Sequence, residues 1–493
     1  MPPVRQSDYL IQRYRVILSH TGIILALAAL IMLFPLLSLV GRPVHAGELL
    51  GFLAPAILLL VIGVLLWRLL RKPGTVLTLQ EGGVIVLLSW IIVCLFSAWP
   101  FMAVQGLNFT QAVFESVSGW TTTGLSVVDV TSASPGILLW RSIMQLFGGA
   151  GLAIIMLAAI TGPTGPALST AEGREQLVPH VRESAKLVMI IYTGYAILGV
   201  VGLRLAGMGW FDAANHSFAA VSTGGFSTSP DSIGHWGSVA VEAVVLPLMI
   251  LGNLSFVTAW LLLRGRFRDT ARNGEVRVMA VLIPVCAAAL FLLTCRELYP
   301  SFSKSVRVAV FETVTALTTT GFSTTTYADW KGFGILAVIV LMLVGGGTCS
   351  TAGGIKQYRI HLLWKSLCWE LRRPFLPRTA VVENAVWENQ GEVFISDARL
   401  RQIGTFLFLY LLTLAVGTAV LVAHGYNLKE SLFEFASAQG TVGLSLGVTG
   451  PKAPPGVLWA EITGMFLGRL EFLVIFLSIA KVFRDLKAMA NTA

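Results

Sequence analysis

The stretch ALTTTGFSTTT, residues 316–326, carries seven hydroxyl side chains and one glycine in eleven residues, yet an apolar run long enough to cross a membrane lies on either side of it. Its reading decides the fold. Gly, Ser and Thr are turn formers, so one such segment by itself reads as a surface loop. Non-helical backbone at membrane depth is tolerated only where it lines water or is buried in protein. The rest of the chain has to choose between the two.

Outward from this stretch the composition excludes an ordinary water-soluble globule: of 493 residues, 55% are hydrophobic and 12% charged. A hydrocarbon core about 30 Å thick takes roughly 20 apolar helical residues. Ten segments meet that requirement, at 16–40, 48–70, 82–103, 137–161, 187–206, 236–263, 276–294, 332–364, 402–423 and 456–480. The expected fold class is therefore an all-α polytopic membrane protein. The first run is expected to stay in the mature chain, because Arg5, Arg13 and Arg15 precede a full spanning length with no small-residue cleavage site. Basic residues recur in every second connection: Arg68, Arg71 and Lys72; Arg174, Arg182 and Lys186; Arg264 to Arg277; Lys356 to Arg401; and Lys481, Arg484 and Lys487. By the positive-inside rule both termini are expected in the cytoplasm. The net charge of +9 is that same asymmetry, and no basic, aromatic-bearing soluble domain exists to bind nucleic acid. The five cysteines have no CxxC spacing and read as small hydrophobes.

Three further segments match the opening one in register. They are ESVSGWTTTGLS from Glu115, HSFAAVSTGGFS from His216 and EFASAQGTVGLS from Glu434, beside ETVTALTTTGFS from Glu312. In all four a glycine falls nine residues after the first residue, a threonine two before it and a serine two after it. The shared glycines, Gly124, Gly225, Gly321 and Gly443, are 101, 96 and 122 residues apart, each between two apolar runs. Surface loops have no reason to keep such offsets, so the chain reads as span, short pore helix, polar loop, span, repeated four times. Repeats are expected over 76–165, 166–265, 266–365 and 402–493, with two extra spans in 1–75 and a cytoplasmic connection over 366–401.

Four such loops around one axis would aim backbone carbonyls at a common path and replace the hydration shell of a monovalent cation. The residues expected to line it are Thr122, Thr123 and Gly124; Thr223, Gly224 and Gly225; Thr319, Thr320 and Gly321; and Thr441, Val442 and Gly443. Asn108, Ser305 and Asn427, each 16 residues before the shared glycine, and Asp212, 13 before it, are expected to cap the pore helices. The negative ends of those helices would then face the path. Glu115, Glu312 and Glu434, matched by His216, precede the glycines by more than two helical turns. A carboxylate ring would concentrate cations, but bracing of the pore helices is the preferred reading.

These loops resemble the superfamily of K⁺ transporters that includes the bacterial Trk and Ktr membrane subunits and the plant and fungal HKT and Trk proteins. The two extra N-terminal spans are similar to Trk rather than Ktr. VGGGTCSTAGGIK, residues 344–356, resembles the glycine-rich interruption in the third repeat of Trk subunits; GGAGLAII, LVPHVRESAKL and MFLGRLE also look like the family's. Five glycines in eleven residues do not hold a straight lipid-facing helix. Close helix packing is the alternative use of such small residues. The resemblance implies a gating loop made of Gly345, Gly346, Gly347, Thr348, Gly353, Gly354 and Lys356. Arg469, inside the last apolar run, is costly unless it faces a cavity or partner or snorkels to the interface. The resemblance implies that it projects beneath the filter as a barrier to leak. It further implies K⁺ at the filter residues, one pore per subunit of a homodimer, and a soluble nucleotide-binding regulator of the RCK type on the cytoplasmic segment from about 360 to 401. No organic cofactor is expected. The implied location is the bacterial cytoplasmic membrane.

The loops depart from the TVGYG filter of tetrameric K⁺ channels: one glycine is common to all four, no tyrosine is present, and the preceding triplets read TTT, STG, TTT and GTV. This suggests looser discrimination, although glycine in the first loop, rather than serine, leans towards K⁺ by analogy with plant members. No GxxxxGK[ST] or HExxH motif is present, so neither ATPase nor zinc-hydrolase chemistry is expected. A coupled K⁺/H⁺ or K⁺/Na⁺ symporter, a Na⁺-permeable transporter and a scaffold or sensor subunit without flux are the competing readings.

Overall fold

The computed structural model describes residues 6–39, 46–71, 77–151, 181–377, 384–388 and 391–491, and it is mostly helical. Two long antiparallel helices, α1 (Gln6–Ile31) and α2 (Ala46–Leu70), pack closely on each other. Helix α1 begins ten residues before the expected span, because Arg13 and Arg15 prolong it past the apolar run. The third span is α3 (Leu79–Ser97), continued after a break at Ala98 by α4 (Trp99–Gln105). Its start is fixed by a capping box in which the Thr78 side chain accepts from Glu81 N and the Glu81 carboxylate accepts from Thr78 N.

Then follows a recurring pair of elements. A short helix, α5 (Phe109–Trp120), leads through a polar turn to α6 (Pro135–Ala150). After α7 (Val181–Leu205), α8 (Trp210–Val221) leads in the same way to α9 (Val239–Asn253) and α10 (Phe256–Leu263). A surface turn of helix, α11 (Phe267–Arg272), precedes α12 (Gly274–Leu290), which runs on through a π turn, Phe291–Cys295, to Leu298. Next come α13 (Phe302–Leu317) and α14 (Gly332–Val344). The glycine-rich stretch joins α14 to α15 (Gln357–Arg372), and an antiparallel hairpin, β1 (Ala385–Glu388) with β2 (Gly391–Phe394), leads to α16 (Asp397–Ala423). The chain ends with α17 (Leu428–Gly440), α18 (Pro455–Leu470) and α19 (Phe472–Ala490).

Among the described residues six helices are long and apolar enough to cross a membrane, or up to eight if each bent pair counts as one span. Three of the ten expected runs are broken helices, the third of them at the glycine-rich stretch where an interruption was expected. The run 236–263 is broken: α9 and α10 meet at 116°, with Ser255 capping α10 through Thr258 N. The last run bends by 101° at Glu471, whose φ is +64°. The expected span 332–364 stops at Val344, where Gly345 takes φ +68°, and α15 beyond it is a polar helix. The described part of the fourth run ends at Gly151; its remainder to 161 and the LVPH of LVPHVRESAKL lie outside the described residues, as do Arg5, Lys72, Arg174 and Arg378.

The apolar interior falls into clusters that follow the recurring pairs. One joins α1–α3 to α5, α6 and α18 around Trp90, Trp120 and Trp140; a second joins α12, α13, α14, α16 and α17; a third surrounds α7–α9. Helix α19 is tied to the N-terminal helices by a buried pair, Lys481–Asp485 at 2.5 Å, to which Tyr14 Oη donates at 3.3 Å. Cys94, Cys286, Cys295 and Cys368 are free thiols.

Candidate functional site

The four short helices α5, α8, α13 and α17 end in one and the same backbone device. In each, the N–H of the residue before the shared glycine reaches five residues back: Thr123 to Ser118 O, Gly224 to Ala219 O, Thr320 to Thr315 O and Val442 to Ser437 O, all at 2.8–2.9 Å. The threonine before it bonds three residues back, Thr122 to Gly119 O, Thr223 to Ala220 O, Thr319 to Ala316 O and Thr441 to Ala438 O, at 3.1–3.2 Å. This pair of bonds is a Schellman motif, whose left-handed position glycine normally fills. Here threonine fills it four times, with φ of +57°, +50°, +53° and +51°. A β-branched residue there costs on the order of 1–3 kcal/mol, so the surroundings have to hold all four.

The shared glycines follow, with φ of +92°, +70°, +80° and +99°. A methyl group on Gly124 would overlap Gly224 O; on Gly225, Thr320 O; on Gly321, Val442 O; and on Gly443, Thr123 O. Each turn abuts the next in chain order and the fourth abuts the first, so the four close into a ring. Backbone angle and space both demand glycine at these positions.

Beyond the ring each turn is held by the residue that opens its motif. Glu115 accepts from Ser126 Oγ (2.9 Å) and Val127 N (2.9 Å), and Glu434 from Ser445 Oγ (2.6 Å), Leu446 N and Thr449 N (both 3.0 Å). Glu312 accepts from Thr324 N and Oγ1, both at 2.9 Å, and from the Tyr327 hydroxyl. His216 Nδ1 donates to Asp212 O (2.8 Å), which leaves Nε2 to accept from Ser227 Oγ (2.9 Å). All four side chains are fully buried, so they brace the turns and form no ring of exposed carboxylates. A sequence reading that lists only local motifs misses Arg141 on α6. Its guanidinium bonds Glu115 (2.7 Å), Ser126 Oγ and Ser227 O (both 3.0 Å) and lies 3.9 Å from the Phe226 ring, joining the first turn to the second.

The expected caps are partly corrected. Asn108 caps α5 in a box with Gln111, and Asn427 stands at the cap of α17. Ser305 lies inside α13, whose cap position is Ser301, and turns its hydroxyl back to Ser301 O; α8 is preceded by Gly209, with Asp212 in the first turn accepting from Thr228 Oγ1 at 2.7 Å. Both chains enter their helices earlier than the offset from the glycine suggested.

On one side of the ring opens a cavity of about 620 Å³, lined by Gly124, Gly225, Gly321, Gly443, Asp129 and Arg141 among others. The Thr131 hydroxyl, and then its N–H, hold the exposed Asp129 carboxylate below its usual pKa range. On the other side a cavity of only about 50 Å³ remains, lined by Thr348, Ser350, Lys356, Arg359, Arg469 and Glu471. The glycine-rich stretch fills the difference. Gly353 N donates to Thr319 Oγ1 (2.8 Å), Thr351 Oγ1 lies 3.1 Å from Thr223 Oγ1, and a methyl on Gly353 would overlap Thr441 Oγ1. Three of the four left-handed threonines thus turn their hydroxyls to this loop. Gly346 N to Gly353 O (3.1 Å) and Gly347 N to Asn253 O (3.2 Å) fold and fasten it, while Gly345 and Gly354 take φ of +68° and +78°. Lys356, at φ +85°, bends back to donate to Ala352 O.

Arg469 does not snorkel. From the end of α18 it donates to Thr351 O of the loop (2.5 Å) and to Gly148 O (2.7 Å) and Gly149 O (3.2 Å) at the end of α6. From the opposite flank Glu275, at the start of α12, accepts both Thr348 N (2.6 Å) and Thr348 Oγ1 (2.5 Å). Glu471 pairs with Arg359 of α15 at 2.7 Å. Glu275 and Arg359 had no local signal in the sequence, since each meets its partner across 73 and 112 residues.

A family model described as TrkH, cation transport protein, matches residues 51–486. The chain belongs to the TrkH family of cation transport proteins. It is 30% identical over 490 residues to the Trk system potassium uptake protein TrkH of Escherichia coli K12, covering 95% of this chain and 99% of that protein. It is 29% identical over 471 residues to the uncharacterized cation transporter MJ1485 of Methanocaldococcus jannaschii, covering 94% and 96%. The crystal structure of the potassium transporter TrkH from Vibrio parahaemolyticus superposes with a TM-score of 0.82 at 29% identity, over 95% of this chain and 98% of that one. The family consists of multi-pass membrane transporters, and the chain is a transporter rather than an enzyme.

Proposed function

We propose that this chain carries K⁺ uptake across the cytoplasmic membrane through a filter formed by the four glycine-marked turns. The ring closure carries the reading: each glycine stands against the carbonyl that precedes the next glycine. In all four turns the atom closest to the glycine's missing side chain is a backbone carbonyl oxygen of the neighbouring turn, and a ring of such carbonyls suits a dehydrated monovalent cation. The names of the TrkH relatives support K⁺ as that cation. The four short helices present their C-terminal, partly negative ends to the ring and favour cations over anions.

The glycine-rich loop is the gate. Held by Glu275 and Arg469 against the threonines, it separates a wide cavity from a narrow one, and the Arg469 charge opposes cation leak. The basic connections place both termini in the cytoplasm, so the wide cavity faces outward. Four repeats in one chain make one pore per subunit of a homodimer. The charged surface of α15 and its C-terminal end, the hairpin and the start of α16, with Arg372, Arg373, Glu388 and Arg399, is where a nucleotide-binding regulatory ring of the RCK type docks. It is tied to the gate because α15 begins where the glycine-rich loop ends.

The test is K⁺ and Na⁺ flux in liposomes holding only the purified protein, wild type beside Gly321→Ser, with no proton or sodium gradient. The reading expects passive, K⁺-preferring flux that the substitution degrades. Flux that appears only when a second ion gradient is imposed contradicts it in favour of a coupled symporter; equal K⁺ and Na⁺ flux makes it a general monovalent cation transporter.

A further inference from the structure

The four turns are not supported alike. In the first and fourth, the shared glycine donates its N–H to a serine of its own short helix: Gly124 to Ser118 Oγ at 3.1 Å and Gly443 to Ser437 Oγ at 3.0 Å. The same position is Thr315 in the third turn, where its hydroxyl meets no hydrogen-bond partner among the described residues, and Ala219 in the second. Alanine has nothing to offer. The second turn is instead held from outside, by Gln145 of α6: its Nε2 donates to Gly224 O at 2.5 Å and its Oε1 accepts from Phe226 N at 3.2 Å. One fully buried carboxamide therefore grips the backbone on both sides of Gly225.

Two exceptions in the sequence meet at this point. Counted three residues back from the glycine at the helix end (Gly148, Gly252, Gly345, Gly468), the four helices carry Gln145, Met249, Met342 and Met465. The residue before the shared glycine is Thr123, Thr320 or Val442 in three turns and Gly224 in the second. A β-carbon at 224 would fall on the carboxamide of Gln145. The amide thus occupies the space of the side chain that Gly224 lacks and holds the backbone on either side of Gly225, at Gly224 O and Phe226 N, in the turn where Ala219 offers no hydroxyl.

We propose that Gln145 is a specificity-determining positioning residue, setting where the second turn's backbone stands and thereby how the ring discriminates among monovalent cations. This rests on reading the ring as a filter. Consecutive glycines at 224 and 225 have wide conformational freedom, so without the amide the turn relaxes and two buried backbone groups lose these partners.

The experiment measures the K⁺/Na⁺ permeability ratio of purified protein in bilayers for Gln145→Met, the residue the other three helices carry. Loss of a clamp of this kind shifts the ratio by about tenfold, the scale of one or two buried hydrogen bonds, with K⁺ flux retained. Adding Gly224→Thr and Ala219→Ser rebuilds the first turn's arrangement and recovers most of the ratio, which a mere space-filling role would not do. Gly225→Ala runs alongside. If it degrades the ratio while Gln145→Met leaves it at the wild-type value, the proposal falls and the filter stands; if Gly225→Ala changes nothing, the filter reading itself falls. Should the methionine variant give no folded protein, Gln145→Asn, whose amide is one methylene shorter and withdraws from both groups, takes its place, and a wild-type ratio there overturns the proposal.

Discussion

Replacing Glu275 by glutamine isolates the hold on the glycine-rich loop proposed as the gate, because it keeps shape and one acceptor oxygen while removing the charge. In the wild type both the N–H and the hydroxyl of Thr348 donate to a single carboxylate oxygen, at 2.6 and 2.5 Å, at a site only 5% exposed. Hydrogen bonds to an ionised acceptor are worth roughly 1.5–3 kcal/mol and neutral ones about 1. With two bonds on one oxygen, the substitution weakens the hold by about 2 kcal/mol, which is about a 30-fold rise in the ratio of released to held loop. Loss of a carboxylate from the first turn of α12 costs the helix itself only about 0.3–1 kcal/mol, so the fold survives. Rb⁺ uptake into liposomes without the regulatory partner reads the released fraction directly. Glu275→Gln is expected to raise basal uptake by up to about 30-fold, levelling off once release no longer limits. Folded Glu275→Gln protein with wild-type or lower uptake would refute the assignment of the loop as a gate held by this residue.

Arg469→Ala removes donors to Thr351, Gly148 and Gly149 together with the charge, so uptake without the partner is expected to exceed that of Glu275→Gln in the same assay; a lower value contradicts the barrier role. Glu312→Ala leaves the Thr324 N–H, the Thr324 hydroxyl and the Tyr327 hydroxyl without their shared acceptor, for a loss of roughly 3 kcal/mol or more that appears as a lower melting temperature in detergent. Asp129 has its pKa lowered by the Thr131 hydroxyl and N–H, so its charge persists as pH falls through the ordinary carboxylate range. Asp129→Asn should therefore weaken the apparent K⁺ affinity by about twofold, to nearly the same extent at external pH 7 and at about pH 4, where an ordinary aspartate is half protonated; a difference that halves at about pH 4 refutes the lowered pKa.

The four turns were legible because their chemistry is local. A left-handed threonine, a glycine that abuts its neighbour and a serine two residues on all fall within one short window, and repetition separates them from ordinary loops. The caps of the short helices were legible only where the capping residue lies in the expected register, as at Asn108; at α13 the cap position falls four residues before Ser305, at Ser301, whose side chain makes no capping hydrogen bond. The breaks were hidden by composition. LGNLSF, residues 251–256, reads as part of an apolar run, yet Ser255 caps a new helix there and turns the chain by 116°. What holds the glycine-rich loop and the second turn was not legible at all. Glu275 looks like a first-turn acid, Arg359 like one more cytoplasmic cation, and Gln145 like a polar residue facing lipid or packing; each acquires its role from a partner that only the fold brings near.

The central claim is that a monovalent cation loses its water between Gly124, Gly225, Gly321 and Gly443. Anomalous diffraction from crystals of this protein grown in Tl⁺ locates such an ion directly. The account predicts a peak on the axis of the ring, at coordinating distance from the carbonyls of Thr123, Gly224, Thr320 and Val442, that is lost in Gly321→Ser. Thallium bound only elsewhere, with the ring empty at saturating Tl⁺, would contradict it.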